Sequence, residues 1–178
     1  MTPDQLAKSG SEHGEQVALF AWRAIAAQFG FETAWQWAET GKLEHEAGEG
    51  AYGAVPALQW LHAIPNGGSR GDDAKSRAIR GGALKAEGVR QGVADIFLPV
   101  PKFVDLDKFE GGHMKWAGLY IEMKKPDLKP KKEGSKGGLS DEQIAFGEYA
   151  KQVGYGWIVC YTWREAATAI QQYIEWGK

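Results

Sequence analysis

Apolar residues recur every three or four positions in several parts of the chain, as they do on the buried face of an amphipathic helix. The clearest stretch begins at Ser11, a residue suited to cap a helix, and stops at Gly30. A weaker pattern is interrupted by Gly81-Gly82, where we expect a break. Residues 1–10 show no such period and are expected to form a flexible tail. The pattern predicts helices over residues 11–30, 72–87, 140–153 and 163–176.

Short apolar runs separate these helices and are typical of strands in a sheet. The turn signal Pro65-Asn66-Gly67-Gly68 ends the first run, and a polar stretch over residues 102–115 with an internal Gly-Gly pair indicates a hairpin. Residues 31–57 are rich in Trp and Gly and predict a short helix followed by an irregular insertion. This order of elements predicts an α/β fold with one central sheet. The strands are expected over residues 58–64, 93–100, 119–123 and 157–161.

The chain has 178 residues, 43% apolar and 25% charged, which is the composition of one globular domain, assigned here to residues 11–178. A formal net charge of −2 does not suggest a generic DNA-binding protein, because such proteins are usually basic. The single cysteine, Cys160, excludes an intramolecular disulfide and favours a cytoplasmic location. The polar residues 1–15 do not resemble a signal peptide. No apolar run approaches ~18 residues, so no membrane span is expected.

Three charged residues fall in or beside the apolar runs, where an unpaired charge is costly to bury. Asp95 lies in the run over residues 93–98, and Glu122 and Lys124 alternate in the next run, so both project from one face of a strand. If the two strands are neighbours, Asp95 and Glu122 converge on one hard cation such as Mg²⁺. Lys124 would then orient a water or offset charge in the transition state. Taken singly, each residue also fits a turn or a solvated salt bridge.

Together, Asp95 and Glu122-Met123-Lys124 resemble the PD-(D/E)xK nuclease signature, with Ala94 where the signature has proline. Over residues 11–175 the chain resembles more specifically the virus-type replication-repair nuclease domain (VRR-NUC), in its stand-alone phage or bacterial form. The resemblance implies a restriction-endonuclease-like PD-(D/E)xK core, in which helices flank a central mixed β-sheet. Residues 31–57 fit it least. The motifs that carry it lie at residues 11–16, 62–70, 84–95, 122–124 and 139–143.

The resemblance also implies roles at particular positions. Asp95 and Glu122 resemble ligands of Mg²⁺ or Mn²⁺, and Lys124 resembles the catalytic lysine of the family. An acid on the first helix completes the metal site in this family, with Glu12 the first choice and Glu15 the alternative. Either acid could instead be a favourable charge at a helix N-terminus.

Gln143 resembles the glutamine that follows this strand in the family and is expected to be catalytic. The sequence Ser140-Asp141-Glu142-Gln143 also has the form of a capping box, in which Gln143 bonds back to the start of its helix. A purely structural role for Gln143 therefore stays open, and the two roles are compatible if this helix start faces the site.

Basic residues are concentrated in two segments that border the proposed site, residues 70–90 and 124–136, although the whole chain is slightly acidic. Clusters of this kind bind phosphates without reading sequence. The second segment, rich in Lys, Pro and Gly, is expected to be a mobile loop. The interpretation that competes with DNA contact is that these residues are solvated lysines or ordinary turn residues. The expected DNA-binding residues are Asn66, Arg70, Arg77, Arg80, Arg90, Lys125, Lys131 and Lys132.

The resemblance implies a Mg²⁺- or Mn²⁺-dependent, structure-selective DNA endonuclease of replication or repair, with branched DNA as its partner and a phage origin. The stand-alone form resembles dimeric Holliday-junction resolvases, since two symmetric cuts need a two-fold homodimer. A restriction-type, nicking or flap endonuclease is the alternative enzyme, and a non-catalytic DNA-binding module is the alternative from another class. Four aromatic residues are candidates for the dimer interface or for the core: Trp35, Trp37, Tyr52 and Trp60.

Overall fold

The computed structural model describes residues 1–43, 53–65, 74–104 and 113–176. Asn66 and Arg70, which the sequence predicts to contact DNA, lie outside the described residues, as does Tyr52 of the Trp-rich segment. For Arg77 and Arg80, two further expected DNA contacts, only the helical backbone is described.

The predicted helices are present, and side-chain or glycine caps set several of their ends. The Ser11 hydroxyl accepts the N–H of Gly14, and Gly30, at a φ of 92°, ends the same helix. Thr162 caps the last helix by accepting the N–H of Glu165 at 3.1 Å. The helices are α1 (Pro3–Ala7), α2 (Glu12–Phe29), α3 (Phe31–Thr40), α4 (Ala74–Ala86), α5 (Asp141–Gln152) and α6 (Trp163–Glu175).

The flexible tail predicted for residues 1–10 is wrong, because α1 forms there behind a capping box and packs against α2. The carboxylate of Asp4 accepts a hydrogen bond from the indole N–H of Trp163 at 2.9 Å and pairs with Arg164 at 2.7 Å. A helix this short shows no readable apolar period, and contacts with α2 and α6 hold it in place.

The break predicted near Gly81-Gly82 is also wrong, because α4 continues through both glycines. A glycine inside a helix costs only ~1 kcal/mol relative to alanine, so neither glycine has to end it.

Helix α3 belongs to the core, although the sequence placed its residues in a segment that fits the family least. Phe31, Ala34 and Ala38 are buried. The Trp35 ring packs against Trp22, with ring centroids 5.1 Å apart, and against Trp163 at 5.7 Å. Of the two interpretations of Trp35, the structure therefore supports core packing.

Four strands form a mixed sheet in the order β1-β2-β5-β6, and β3 pairs with β4 as the predicted hairpin. Neighbours β1, β2 and β5 run antiparallel, whereas β5 and β6 are parallel. The long first strand predicted over residues 58–64 is wrong, because Pro56–Trp60 is a 3-10 helix that leaves two residues for pairing. The strands are β1 (His62–Ala63), β2 (Ile96–Leu98), β3 (Lys102–Val104), β4 (His113–Trp116), β5 (Leu119–Met123) and β6 (Gly156–Cys160).

The two faces of the mixed sheet have different surroundings. One face is apolar: Ile96 and Ile121 join the core cluster, to which α2 contributes Trp22 and α6 contributes Ile170. Since side chains alternate along a strand, the charged residues identified from the sequence project from the opposite face.

Helix α5 covers part of that opposite face. The Phe146 ring meets the edge of Tyr120, with ring centroids 5.1 Å apart. A Cβ added at Gly147 would lie 2.6 Å from the Trp157 ring, so glycine lets α5 approach β6 closely. The fold is therefore a mixed α/β fold in which helices flank a mixed sheet.

Candidate active site

Strand pairing brings the two carboxylates identified from the sequence together. Ile96 of β2 lies opposite Ile121 of β5, and the same register continued by one residue places Asp95 opposite Glu122. Opposite residues of an antiparallel pair share a face and lie close together. The Asp95 carboxylate also accepts the backbone N–H of Met123 at 2.8 Å, which fixes it across the two strands.

Glu122 is the buried centre of the site, with no exposed side-chain surface. Its Oε1 accepts hydrogen bonds from Lys124 Nζ, at 2.5 Å, and from Gln143 Nε2. Its Oε2 is buried and accepts no hydrogen bond from any residue that the structure describes. Burial, reinforced by the negative charge of Asp95 and partly offset by Lys124, raises the pKa of Glu122 to about 8.

Lys124 is placed by its backbone as well as by its charge. Its N–H donates to the carbonyl of Cys160 at 2.9 Å, which extends the pairing of β5 with β6 beyond Met123. Its side chain is 8% exposed, and its ammonium group remains beside Glu122. A buried lysine with a fixed carboxylate partner is well positioned to stabilise negative charge beside it.

Gln143 forms the predicted capping box and also contacts the buried carboxylate of Glu122. Its side-chain oxygen accepts the N–H of Ser140 at 3.0 Å, and the Ser140 hydroxyl accepts the N–H of Gln143, so the capping box is present. Its side-chain nitrogen donates to Glu122. The start of α5 therefore faces the site, and one amide group serves the helix and the carboxylate together.

The two acids on the first turn of α2 have different surroundings. Burial is the main cause of a raised pKa for Glu12. The charge of Asp95 adds to this rise and the charge of Lys124 opposes it, so Glu12 lies within electrostatic reach of the site. The carboxylate of Glu15 is buried and instead accepts the N–H of Trp163, at 2.7 Å, at the start of α6. The structure thus brings Glu12 to Asp95 and Lys124 and gives Glu15 a partner elsewhere.

A preassembled metal cluster is not evident: among the described ranges, no three His, Cys, Asp or Glu side chains are grouped so that they could hold an ion. Asp95 and Glu12 nevertheless lie within electrostatic reach of Glu122, because both raise its pKa. The buried Oε2 of Glu122 is the one feature there that fits a cation, because a coordinated ion would satisfy it.

The predicted DNA-binding residues that are described lie at the surface, and Arg90, Lys125, Lys131 and Lys132 are all exposed. Lys125 lowers the pKa of Glu12, which places it beside the site.

The segment predicted as a mobile loop around these lysines makes contacts with the rest of the fold. Lys129 pairs with Glu165 at 2.7 Å, and the Tyr161 hydroxyl donates to the carbonyl of Gly137 at 3.2 Å, so this segment is tied to the body.

An aromatic surface that the sequence patterns did not indicate lies near these groups. Phe97 and Tyr120 stack with ring centroids 4.4 Å apart, each two residues before or after a carboxylate of the site. The strand alternation that revealed Glu122 also places these rings on its face of the sheet. Phe146 and Tyr149, both on α5, extend the aromatic surface. In the sequence their spacing indicates only a helix.

Comparisons with known proteins show the fold. No family model and no curated protein matches the sequence. A solved structure described as a VRR_NUC domain protein is similar to this chain, with a TM-score of 0.51 and 18% sequence identity. The match covers 94% of this chain and 91% of that one, so the shared fold extends over nearly the whole chain. Within the described residues, no helix has the length and apolar character needed to cross a bilayer.

Proposed function

We propose that this chain is a metal-dependent DNA endonuclease that hydrolyses phosphodiester bonds at the site built around Glu122. The observation that carries the proposal is the buried Glu122 carboxylate, bonded to Lys124 and Gln143 and opposite Asp95. A buried ionisable group with a strongly raised pKa and a specific charge partner is typical of functional sites. The fold shared with a VRR_NUC domain protein supports a nuclease over other hydrolases.

The acids would hold the metal, Mg²⁺ or Mn²⁺. Mg²⁺ is usually held by one or two carboxylates, with water and substrate phosphate oxygens completing its shell. Asp95 and Glu122 would supply that number, and the carboxylate of Glu12, at the start of α2, lies within electrostatic reach of both. When bound, such an ion stabilises charge on the phosphoryl oxygens and lowers the pKa of a nucleophilic water.

The other side chains bind and orient. The ammonium of Lys124 offsets charge that develops on the scissile phosphate, in a position sheltered from solvent. Gln143 holds the Glu122 carboxylate in place and brings the positive end of the α5 dipole toward the same phosphate. Exposed basic residues such as Lys125 and Arg90 neutralise neighbouring phosphates without reading sequence.

We further propose that the substrate is branched DNA and that the protein acts as a homodimer in replication or repair, as a Holliday-junction resolvase does. Support comes from the fold shared with a VRR_NUC domain protein and from Trp60, which is 64% exposed. Two symmetric cuts need two sites related by a two-fold axis. Sedimentation at the concentration used for cleavage tests this, and an active monomer contradicts it.

Cleavage assays on four-way junction, flap, nicked and linear duplex DNA test the main proposal. Wild-type protein is expected to cut with Mn²⁺ or Mg²⁺ and to be inactive in EDTA. Asp95→Asn and Glu122→Gln are each expected to lose at least about 100-fold in rate, while Glu32→Gln, an exposed acid on α3, retains full activity. Binding of all four DNAs without cleavage under any metal condition would favour the non-catalytic module.

Metal binding is tested separately from activity. Mn²⁺ is expected to raise the melting temperature of the wild-type protein, because a ligand that binds only the folded state stabilises it. The shift should vanish in Asp95→Asn and persist in Glu32→Gln. An equal shift in all three proteins would place the metal elsewhere.

A further inference from the structure

A groove of about 1190 Å³ lies between α4 and α5, beside the candidate active site. Glu142 lines this groove, and its neighbour Gln143 donates to Glu122. Residues 89–91 also line the groove, and the next residue, Gly92, packs so tightly on α5 that an added Cβ would lie 2.7 Å from the Glu142 backbone. The groove and the carboxylates therefore share their boundary.

The α5 wall of the groove is apolar and aromatic. Glu142, Ala145, Phe146 and Tyr149 line it, at the i, i+3, i+4 and i+7 spacing that aligns side chains on one helix face. Phe146 is fixed by its edge contact with Tyr120, whereas Tyr149 is 60% exposed. This wall offers one rigid ring and one accessible ring to an occupant.

On the α4 wall, Gly81, Leu84 and Lys85 line the groove at the i, i+3 and i+4 spacing, and Gly88 continues this wall just beyond the helix. A Cβ at Gly81 would meet no atom within 4 Å among the described residues outside its own helix turn, so packing against them does not require glycine at this position. Glycine inside a helix is destabilising relative to alanine, and close approach of a ligand is a reason for keeping it. Gly82 is equally open but does not line the groove, which makes it a matched control.

Two exposed cations, Lys85 and Arg90, lie on the same groove, against the single carboxylate of Glu142. Its volume exceeds the roughly 300–1,000 Å³ of pockets that hold drug-sized ligands, so an extended occupant fits better than a small molecule. Aromatic rings combined with cations are the chemistry that binds unpaired nucleic acid, by stacking on bases and neutralising phosphates.

We propose that this groove binds an unpaired DNA strand that adjoins the cleavage site. The inference rests on the proposed nuclease function and, among branched DNAs, favours a substrate with a single-stranded arm next to the cut, such as a flap, over a fully paired four-way junction. Bases in an intact duplex are stacked on each other and offer no face to Tyr149, so a fully paired substrate does not use the groove.

Fluorescence anisotropy with labelled DNA tests the proposal, in EDTA so that no cleavage occurs. The probes are a linear duplex and the same duplex with a single-stranded arm. Tyr149→Ala and Gly81→Leu, which adds bulk to the groove, are each expected to weaken binding of the armed duplex about tenfold, with less than about a twofold effect on the plain duplex. Gly82→Leu is expected to match wild type on both probes.

The outcomes separate this inference from the nuclease proposal. If wild-type protein cuts DNA but the groove variants bind both probes as wild type does, the groove inference is wrong and the nuclease proposal stands. An equal loss on both probes also overturns it, because the groove would then serve duplex DNA or the fold. If no DNA is cut, but Tyr149→Ala and Gly81→Leu still weaken binding of the duplex with the single-stranded arm and not of the plain duplex, the groove inference is supported and the nuclease proposal fails.

Discussion

Glu12 and Glu15 lie on the same turn of α2, yet the structure predicts opposite consequences when each is replaced. Glu15 is buried and accepts the N–H of Trp163 at 2.7 Å, so it caps α6 from a distant helix. Glu12 borders the cluster of Asp95 and Lys124. Glu15 should therefore support stability, and Glu12 should support activity.

The size of the Glu15 effect follows from its contacts. Glu15→Ala leaves the Trp163 N–H buried without its acceptor, at a cost of ~1–3 kcal/mol. Burial raises the pKa of Glu15, so losing its desolvated charge offsets part of that cost. We expect a net loss near 2 kcal/mol, or roughly 4–8 °C in melting temperature for a chain of this length. Glu15→Gln keeps an acceptor oxygen and should lose only about 1 kcal/mol.

Urea unfolding followed by tryptophan fluorescence measures these changes, because the chain contains 8 Trp. Glu12→Ala is the matched control and should change the unfolding free energy by no more than about 0.5 kcal/mol. In cleavage assays at a temperature where all variants are folded, Glu12→Ala should be strongly impaired and Glu15→Gln active. If Glu15→Gln is stable but inactive, Glu15 is the acid of the site and our assignment is wrong.

Three further predictions concern the site and its surroundings. Glu122 has a pKa raised to about 8, so the folded state of the metal-free protein retains a proton that the unfolded chain releases. Unfolding free energy should therefore fall as pH rises from 5 to 8, by up to about 1.4 kcal/mol per pH unit, and Glu122→Gln should remove that dependence in urea titrations. Lys124→Met should reduce the cleavage rate far more than the DNA affinity measured by anisotropy, and equal losses would give Lys124 only a binding role. Burial raises the pKa of the Cys160 thiol to about 12, so iodoacetamide should modify it at pH 8 only after unfolding, and rapid modification of the folded protein would contradict its burial.

Much of the site could be predicted because its chemistry follows strand alternation. Glu122 and Lys124 are two residues apart, and Asp95 lies in the preceding strand of the sheet. Strand alternation, together with pairing of the two strands, is therefore enough to place all three on one face of the sheet. The capping box at Ser140 was equally readable. What the sequence could not show was that its Gln143 amide has a second partner, since that contact joins elements 21 residues apart.

The choice between Glu12 and Glu15 depended on tertiary structure. Both acids lie in the first turn of α2, and only the position of the α6 N-terminus distinguishes them. Helix α1 was missed for the same reason, because Asp4 is fixed by residues of α6 more than 150 positions away.

The shared Gln143 amide has a consequence for observing the site. Protonation, mutation or ligation of Glu122 alters the partner of the same side chain that closes the first turn of α5. Backbone amide exchange at Ser140, whose N–H is held by Gln143, therefore becomes a local reporter of the state of a buried carboxylate. A change at Glu122 that has no spectroscopic signal of its own can thereby be followed as fraying of the first turn of α5.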